Sequence, residues 1–381
     1  MMLNNNFFHS SEKIIIGKKT DIGFLVSFIL LLGLGLVTLY SVSINPGLRI
    51  KNDELFFVKR QLLFLLIGIV VVFFLSMIDL DRVRGILPAI VLASIFLCMI
   101  TCIPGIGIEK NGARRWIGIA GIEFQSSEPA KLVIVLYLAH LFAKKHDKLD
   151  ELAATIIPAV IMTSVFVIFI YLQNDFSTSL IVMVLSFVLF FFSGIKLRWF
   201  VIFFCLVLPV VLLFVFTEPY RVERIISFLN PSIDPYGGGY QLNMARKAVS
   251  GGGFWGQGIG GLFRGSISIP EVQSDFIFAG WAEEMGFFGI VLYFVVLSYF
   301  IIRGYMIALV CKDRFRSLLA FGCVSAILIQ SIMNCGVVCG LFPSTGIPLP
   351  FFSSGGTSLI VSMSFCGLII NVSRWNKGEG N

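Results

Sequence analysis

Acidic side chains stand at the edges of long apolar stretches, where a carboxylate can do acid–base chemistry. Asp275 lies in the segment SIPEVQSDFIFAG, with no Lys or Arg among the five residues before it. A carboxylate at such a boundary loses hydration, and its pKa rises towards neutrality. A general base requires this property, although an acid before a helix also stabilises the helix dipole without any catalytic role.

A lysine and two further acids lie at the ends of other apolar stretches. Glu128 and Lys131 are three residues apart, so on a helix they share one face and can pair. Asp175 follows Asn174 where an apolar segment begins, and either side chain can cap a helix there. A helix-end salt bridge and a cap are structural roles, and they stand as alternatives to substrate binding at these positions.

Further charged and aromatic residues occupy the same kind of boundary. Those predicted to contact a substrate are Arg114, Arg115, Trp116, Arg221, Arg224 and Glu283. Arginine binds phosphate through its guanidinium fork, and lysine binds it as a point charge. With apolar walls for a lipid tail, this pattern predicts a site for an anionic, membrane-tethered substrate, which a lipid-phosphate transporter would also have. Glu283 adjoins Glu284, so only one of the two is expected to face the helix bundle.

The composition indicates which elements must position these residues. The 381-residue chain is 57% apolar and 13% charged, which excludes a soluble globular enzyme and a disordered chain. Its mean hydropathy is +0.92. The apolar runs are continuous and near the ~20 residues that span a bilayer, which excludes a membrane β-barrel. We predict an all-α polytopic membrane protein with about ten transmembrane helices. They lie near residues 22–42, 56–78, 85–102, 128–143, 152–172, 176–193, 199–217, 281–302, 317–341 and 354–372.

The spans divide the chain into five regions. We predict a cytoplasmic tail at 1–20, helices 1–7 in 21–217, a large extracytoplasmic loop at 218–280, helices 8–10 in 281–373, and a cytoplasmic tail at 374–381. Lys and Arg concentrate on the side that holds both termini once the segments 103–131 and 218–280 are set aside, as is typical of cytoplasmic loops. These two segments keep basic residues on the opposite side, so we expect the site to use them.

Other patterns in the sequence indicate no additional site. Cytoplasmic loops explain the net charge of +7, and we predict no binding of nucleic acid. Most of the eight Cys lie inside apolar runs and the three His are scattered, so no zinc site is predicted. The segment GGGFWGQGIGG contains a GxGxxG spacing, but no strand precedes it. We expect its glycines to form turns and re-entrant backbone.

Six segments, distributed in order along the whole chain, match the pattern of a known protein family. They are DIGFLVSFILLLGLGLVTLYSVS, NGARRWIGIAGIEFQSSEPAKL, QNDFSTS, YRVERIISFLNPSIDPYGGGYQ, PEVQSDFIFAGWAEEMGFFG and FPSTGIPLPFFSSGGTS. Together they resemble the SEDS family of bacterial peptidoglycan polymerases, whose members include FtsW, RodA and SpoVE. The resemblance implies a ten-helix glycosyltransferase that polymerises lipid II into β-1,4 glycan strands outside the bacterial cytoplasmic membrane. It also implies complexes with a class B penicillin-binding protein and with other division or elongation proteins.

The resemblance also implies roles for residues of this chain. Asp275 matches the family's essential aspartate and is expected to be the general base. Glu128, Lys131 and Asp175 match polar positions important in the family, and residues 114–116 match its ARRW segment. An α-linked pyrophosphate becomes a β linkage, so the reaction inverts configuration and needs one base rather than two carboxylates. A divalent cation, Mg²⁺ or Mn²⁺, can bridge the pyrophosphate to Asp175, Glu128 or Asp275.

The large loop is similar to that of the division-type FtsW rather than the elongation-type RodA, because DPYGGGYQ has the FtsW-like form. Thr345 is instead shared with RodA and SpoVE. Gln273 and Ser274 stand where the family usually has His-Thr, and Ser126 and Asn174 replace usual prolines. The sequence allows three other functions: a RodA-like elongation polymerase, a transporter that flips lipid-linked precursors, and a non-catalytic scaffold.

Overall fold

A computed structural model describes residues 20–110, 112–119, 122–217, 219–229, 239–260 and 269–376 of the chain. Helices dominate this part of the chain and are numbered here in order. Their bounds are α1 Ile22–Lys51, α2 Phe56–Met77, α3 Leu80–Thr101, α4 Ser127–Lys144, α5 Ile157–Leu172, α6 Phe176–Ser193, α7 Leu197–Phe216, α8 Pro219–Leu229, α9 Tyr240–Gly251, α10 Ile277–Val310, α11 Arg314–Val338 and α12 Gly356–Asn376. Most of the two predicted tails, 1–19 and 377–381, lies outside the described residues.

The prediction of a polytopic helical membrane protein is confirmed. Eight helical segments of the described chain are long and apolar enough to cross a membrane. The two remaining predicted spans are occupied by α4 and α7. α4 differs from the eight because it carries Glu128, Lys131 and Lys144 within 18 residues. α10 begins at Ile277 and ends at Val310, well beyond the predicted span.

Aspartate side chains cap the starts of α1, α3, α6 and α11. At α6, Asp175 Oδ1 accepts a hydrogen bond from Thr178 N at 3.3 Å. At α11, Asp313 Oδ1 accepts one from Arg316 N at 2.8 Å. These oxygens satisfy amide groups that the first helical turn leaves without partners. The predicted cap at Asp175 is therefore confirmed.

A small antiparallel sheet lies between α3 and α4, and the sequence pattern does not predict it. Its strands, in the order β1-β2-β3, are β1 Gly107–Lys110, β2 Ala113–Ile119 and β3 Ile122–Gln125. Trp116 of β2 pairs with Ile108 on one side and Gln125 on the other. Because β2 carries Arg114 and Arg115 and β3 leads into α4, the sheet places these arginines beside the start of α4.

The helices differ strongly in burial, which defines the centre of the bundle. α2, α11 and α12 each contain an apolar stretch long enough to cross a membrane. Of that stretch, 78% is buried in α11 and 83% in α12, but only 17% in α2. α11 packs against α4, α6, α10 and α12. The core therefore forms around α11 and α12, while α2 presents apolar side chains outward, as a lipid-facing helix does.

The predicted large loop contains α8, α9 and residues 251–260, here called the glycine segment. This segment packs where α10 is interrupted at Gly286, whose backbone has φ 62° and ψ −161°. Gln257 N donates to Glu283 O at 2.9 Å, and Phe287 N donates to Gly253 O at 2.9 Å. Positive φ angles occur at Gly253, Gly256, Gly258 and Gly260. The prediction that these glycines form turns is confirmed.

Candidate active site

Asp175 is the centre of a buried hydrogen-bond cluster at the start of α6. Its side chain is 2% exposed. Oδ2 accepts hydrogen bonds from Ser127 Oγ at 2.9 Å and from Gln125 Nε2 at 3.0 Å. Both donors come from the junction between β3 and α4, so Asp175 joins the start of α6 to the start of α4.

The two neighbouring arginines of β2 have different environments. Arg115 Nη1 lies 3.5 Å from Asp175 Oδ1, and Nη2 donates to Asn174 O at 2.8 Å. The Arg114 side chain turns instead to Glu109 of β1, with Nη2 and Oε2 2.6 Å apart. Arg115 therefore belongs to the Asp175 cluster, and Arg114 belongs to the more exposed side of the sheet.

Trp116 lies beside two cations. The Arg115 guanidinium is 5.9 Å from the centroid of the Trp116 ring, and Lys110 Nζ is 5.8 Å from it. Both distances are within the ~6 Å range of cation–π attraction. The sheet therefore places Lys110 and Arg115 each beside the Trp116 ring.

Glu128 and Lys131 form the predicted ion pair on one face of α4. Lys131 Nζ lies 2.9 Å from Glu128 Oε1, and the two side chains are only 2% and 3% exposed. The same ammonium group donates to Gln330 Oε1 of α11 at 2.8 Å. A buried charge needs such partners because it has lost its hydration. The pair therefore fixes α4 against α11.

Asp275 lies immediately before α10, and neighbouring elements hold its backbone. Asp275 O accepts a hydrogen bond from Asn334 Nδ2 of α11 at 2.8 Å. The preceding carbonyl, Ser274 O, accepts one from Ser353 Oγ, which lies between α11 and α12. The segment that carries Asp275 is therefore fixed against the most buried helices of the bundle.

The electrostatic environment of Asp275 suits proton transfer near neutrality. Burial raises the pKa of its carboxyl group to about 6, and the nearby Glu271 carboxylate acts in the same direction. Arg115 and Arg224 lower this pKa, whereas Asp175 contributes to the rise. The charges of Asp175, Arg115 and Arg224 therefore all act on this one carboxyl group.

Residues 343–350, here called the proline loop, connect these parts of the site. A Cβ atom at Gly346, where φ is 68°, would lie 3.3 Å from Asp275 Oδ2. Four backbone carbonyls of the loop accept hydrogen bonds from side chains of three helices. They are Ser344 O from Arg224 of α8 at 3.2 Å, Thr345 O from Ser177 of α6 at 2.6 Å, Ile347 O from Asn334 of α11 at 2.7 Å, and Pro348 O from Gln330 of α11 at 2.9 Å.

The two predicted arginines of α8 have different roles in the structure. Arg221 is 5% exposed, and its Nη1 donates to Tyr171 Oη at 2.8 Å. Its guanidinium also lies 5.3 Å from the centroid of the Phe176 ring. Arg221 therefore docks α8 onto the ends of α5 and α6, and Arg224 extends from the same helix to the proline loop.

The expectation that only one of Glu283 and Glu284 faces the bundle is wrong. Both side chains are 1% exposed. Glu284 Oε1 accepts hydrogen bonds from Ser41 Oγ of α1 and from Gly260 N. Both acids are buried because α10 loses its helical geometry at Gly286 and the glycine segment covers the opposite side. Within the described ranges, Glu283 shares no hydrogen bond or ion pair with the other predicted site residues.

Two of the three carboxylates considered for Mg²⁺ or Mn²⁺, Asp175 and Glu128, already have partners within the protein. The part of the chain that the structure describes holds no group of three or more His, Cys, Asp and Glu side chains that could bind a metal ion. Asp175 already accepts hydrogen bonds from Ser127 and Gln125, and Glu128 is paired with Lys131. We therefore assign no step of a reaction to a metal ion.

Comparison with known proteins places the chain in a family. Residues 23–378 match the family model of FtsW, RodA and SpoVE, described as cell cycle protein. The chain belongs to the FtsW/RodA/SpoVE family. Stage V sporulation protein E of Bacillus subtilis (strain 168) is 38% identical, over 94% of this chain and 99% of the relative. A probable peptidoglycan glycosyltransferase FtsW of Geobacter sp. (strain M18) is 34% identical, over 94% of this chain and 98% of the relative.

Solved structures share the fold of this FtsW/RodA/SpoVE family member. One belongs to a study of the structural coordination of polymerization and crosslinking by a peptidoglycan synthase complex. It has a TM-score of 0.78 and 28% identity, and the match covers 94% of this chain and 99% of the other. The rod shape determining protein RodA of Thermus thermophilus has a TM-score of 0.68 and 26% identity, covering 94% and 97% of the two chains. The shared fold therefore extends over almost the whole chain.

Several uncharged residues of this FtsW/RodA/SpoVE-type site were not predicted. Gln330 and Asn334 of α11 contact the proline loop, and Gln125 and Ser127 bind Asp175. One signal was available in the sequence, because two amides four residues apart in an apolar helix share one face. Polar side chains at membrane depth usually have a function, and this rule extends here to neutral amides.

Proposed function

We propose that this protein is a peptidoglycan glycosyltransferase that polymerises lipid II into β-1,4 glycan strands. Membership of the family and the names of the FtsW relatives support this class of reaction. The observation that carries the proposal is the Asp275 carboxyl group, whose pKa of about 6 suits a general base. Arg115 and Arg224 act on the same carboxyl group and supply the positive charge that an anionic substrate needs.

The reaction follows from one base and a stabilised leaving group. Asp275 removes the proton from the 4-hydroxyl group of the acceptor lipid II, and the hydroxyl oxygen attacks the anomeric carbon of the donor glycan. The new C–O bond forms as the bond from that carbon to the pyrophosphate breaks. Undecaprenyl pyrophosphate leaves, and the proton stays on Asp275 until solvent removes it. Attack opposite the leaving group converts the α linkage into a β linkage, so no second catalytic carboxylate is needed.

The leaving pyrophosphate requires cations, and the sheet and α8 provide them. Arg114, Arg115 and Arg224 bind its oxygens through guanidinium forks, and Trp116 packs beside Arg115. Lys131 acts on the same charge from a buried position, since Glu128 and Gln330 already bind its ammonium group. We keep Asp175 and Arg221 in the site, because they hold Arg115 and α8 in place. Glu283 has no such connection in the part of the chain that the structure describes.

The proposed site faces the outside of the bacterial cytoplasmic membrane, with both termini in the cytoplasm. The distribution of Lys and Arg supports this orientation, and it makes 218–280 an extracytoplasmic loop. A class B penicillin-binding protein is the proposed partner, because one similar structure belongs to a complex that couples polymerization and crosslinking. The DPYGGGYQ segment and the FtsW relatives favour septal synthesis during cell division over elongation.

Purified protein and labelled lipid II test the proposed function. We expect the wild type to produce glycan strands, and Asp275→Ala to reduce the rate by at least ~100-fold, since general base catalysis contributes about 100-fold to 10,000-fold. Glu223→Gln is the matched control, because Glu223 is an exposed acid of α8 in the same loop. The assay is run with and without the cognate penicillin-binding protein, so that dependence on a partner is not mistaken for inactivity.

Three outcomes would contradict parts of this proposal. Strand synthesis by Asp275→Ala at the wild-type rate would remove the assignment of the general base. Translocation of lipid II across vesicle membranes by a wild-type protein that forms no strands, with or without the partner, would identify a transporter instead. Absence of both activities from folded protein would identify a non-catalytic scaffold.

A further inference from the structure

Two buried amides of α11 lie between the separate parts of the site. Gln330 and Asn334 are four residues apart, so they point to the same face of the helix. Their side chains are 3% and 1% exposed. A buried amide loses its hydration, and hydrogen bonds to the protein must replace it. The partners of these two amides are therefore fixed parts of the architecture.

Asn334 uses the full donor capacity of its amide nitrogen. Nδ2 donates to Asp275 O at 2.8 Å and to Ile347 O at 2.7 Å. An amide nitrogen carries two N–H groups in one plane. Asn334 therefore holds the backbone at Asp275 and the proline loop at a fixed distance from each other.

Gln330 makes the corresponding connection on the other side. Its Oε1 accepts a hydrogen bond from Lys131 Nζ at 2.8 Å, and its Nε2 donates to Pro348 O at 2.9 Å. Because Ile347 and Pro348 are consecutive, the two amides bind neighbouring carbonyls of the proline loop. A continuous set of contacts therefore runs from Lys131, through Gln330, the proline loop and Asn334, to Asp275.

We propose that Asn334 is a positioning residue for Asp275, and that Asn334 and Gln330 together set the distance between Asp275 and Lys131. This inference rests on the proposed glycosyltransferase function. Asn334 touches the backbone of Asp275 and not its carboxylate. It therefore controls where the base lies, and a misplacement of about 1 Å can reduce the rate about 100-fold.

The variants Asn334→Ala and Asn334→Gln test this proposal in the purified full-length protein with lipid II as substrate. Ala removes both donors, whereas Gln keeps them and moves the amide by one methylene group. We expect kcat to fall about 100-fold for Ala and at least about tenfold for Gln. KM should stay close to the wild-type value, because no lipid-binding group changes. Ser331→Ala is the matched control, since Ser331 is equally buried in α11 but lies near Tyr293.

The pH dependence of kcat separates positioning from folding. When Asp275 is held less firmly, its carboxyl group gains solvent, and its pKa falls from about 6 towards the ordinary 3.8. In the Asn334 variants, kcat should therefore begin to fall at a lower pH than in the wild type. The pH range over which kcat falls on the acid side is called here the acid limb. A purely structural role would lower the amount of folded, lipid II-binding protein without moving this acid limb.

Either of two results overturns the proposal. One is an unchanged kcat per folded molecule in both Asn334 variants. The other is a joint loss of kcat and lipid II affinity while the acid limb stays in place. The Gln variant retains a buried amide, so it supplies these measurements even when the Ala variant does not fold. Failure of the wild type to polymerise lipid II would reject the proposed function instead.

Discussion

The charge of Asp275 is set by competing neighbours. Burial and the Glu271 carboxylate raise the pKa of its carboxyl group, and Arg115 and Arg224 lower it, with a result of about 6. At neutral pH the carboxylate form therefore predominates, yet it binds a proton more readily than an ordinary aspartate does. The same arginines are the cations proposed to bind the leaving group. Binding of a pyrophosphate would therefore reduce their stabilisation of the Asp275 carboxylate.

We expect the rate of strand synthesis to fall about tenfold per pH unit below pH ~6, because protonation removes the active base. The substitution Glu271→Gln removes a like charge, so it should lower the pKa of Asp275 and move this acid limb to lower pH. Rates measured between pH 4.5 and 8, at saturating lipid II, give the position of the acid limb directly. Glu223→Gln is the control, and an equal shift in both variants would contradict a local effect of Glu271.

The ion pair between Glu128 and Lys131 predicts an asymmetric response to substitution. Lys131→Met leaves a buried carboxylate without its cation, which costs about 3–5 kcal/mol of unfolding free energy. The double variant Glu128→Gln with Lys131→Met removes both charges and should recover most of that loss. Thermal unfolding in detergent measures the difference. A double variant no more stable than Lys131→Met would show that the uncompensated charge is not the cause.

Among the elements, α10 depends on a glycine at its interruption. The φ and ψ of Gly286 lie in a region that is almost exclusive to glycine and costs other residues about 1–3 kcal/mol. A Cβ atom there would lie 2.3 Å from Gly256 N. We expect Gly286→Ala to destabilise the protein by at least ~2 kcal/mol and to accelerate hydrogen exchange in the glycine segment.

The matched control for this substitution is Gly33→Ala in α1. No atom lies within 4 Å of a Cβ added at Gly33, and alanine favours a helix. This variant should therefore be as stable as the wild type or slightly more stable. If the two alanine variants melt at the same temperature and exchange at the same rate, the glycine segment does not depend on the interruption of α10.

Apolar length predicts the ten long helices of this fold, because a run near ~20 apolar residues indicates a membrane span. It does not predict α8 and α9, which lie in the predicted large loop. The sheet is not predicted, since β1 to β3 are short and carry charged residues. Only the pair Asn111 and Gly112 resembles a hairpin turn. The interruption at Gly286 is not predicted either, because a single glycine inside a helical pattern does not mark a break. The ionisable site residues are visible because charge is rare in this sequence, whereas the contacts of Asn334 with Asp275 and the proline loop require the three-dimensional fold.

At the scale of the whole molecule, the proposed orientation predicts which positions are accessible from outside the cell. Glu109 of β1 and Lys148, which follows α4, are exposed and lie at opposite ends of α4. In a background with the exposed Cys205 and Cys339 replaced, an impermeant maleimide should label Glu109→Cys in intact cells. Lys148→Cys should react only after the membrane is permeabilised. The opposite labelling pattern would reverse the proposed orientation.

The proline loop has few hydrogen-bond donors of its own, since Pro343, Pro348 and Pro350 have no backbone N–H. Four of its carbonyls rely on side chains of α6, α8 and α11. These helices are far apart in the sequence and leave the ribosome at different times. The loop cannot mature as an autonomous hairpin during biosynthesis. Its four accepting carbonyls therefore meet their donors only after α6, α8 and α11 have assembled.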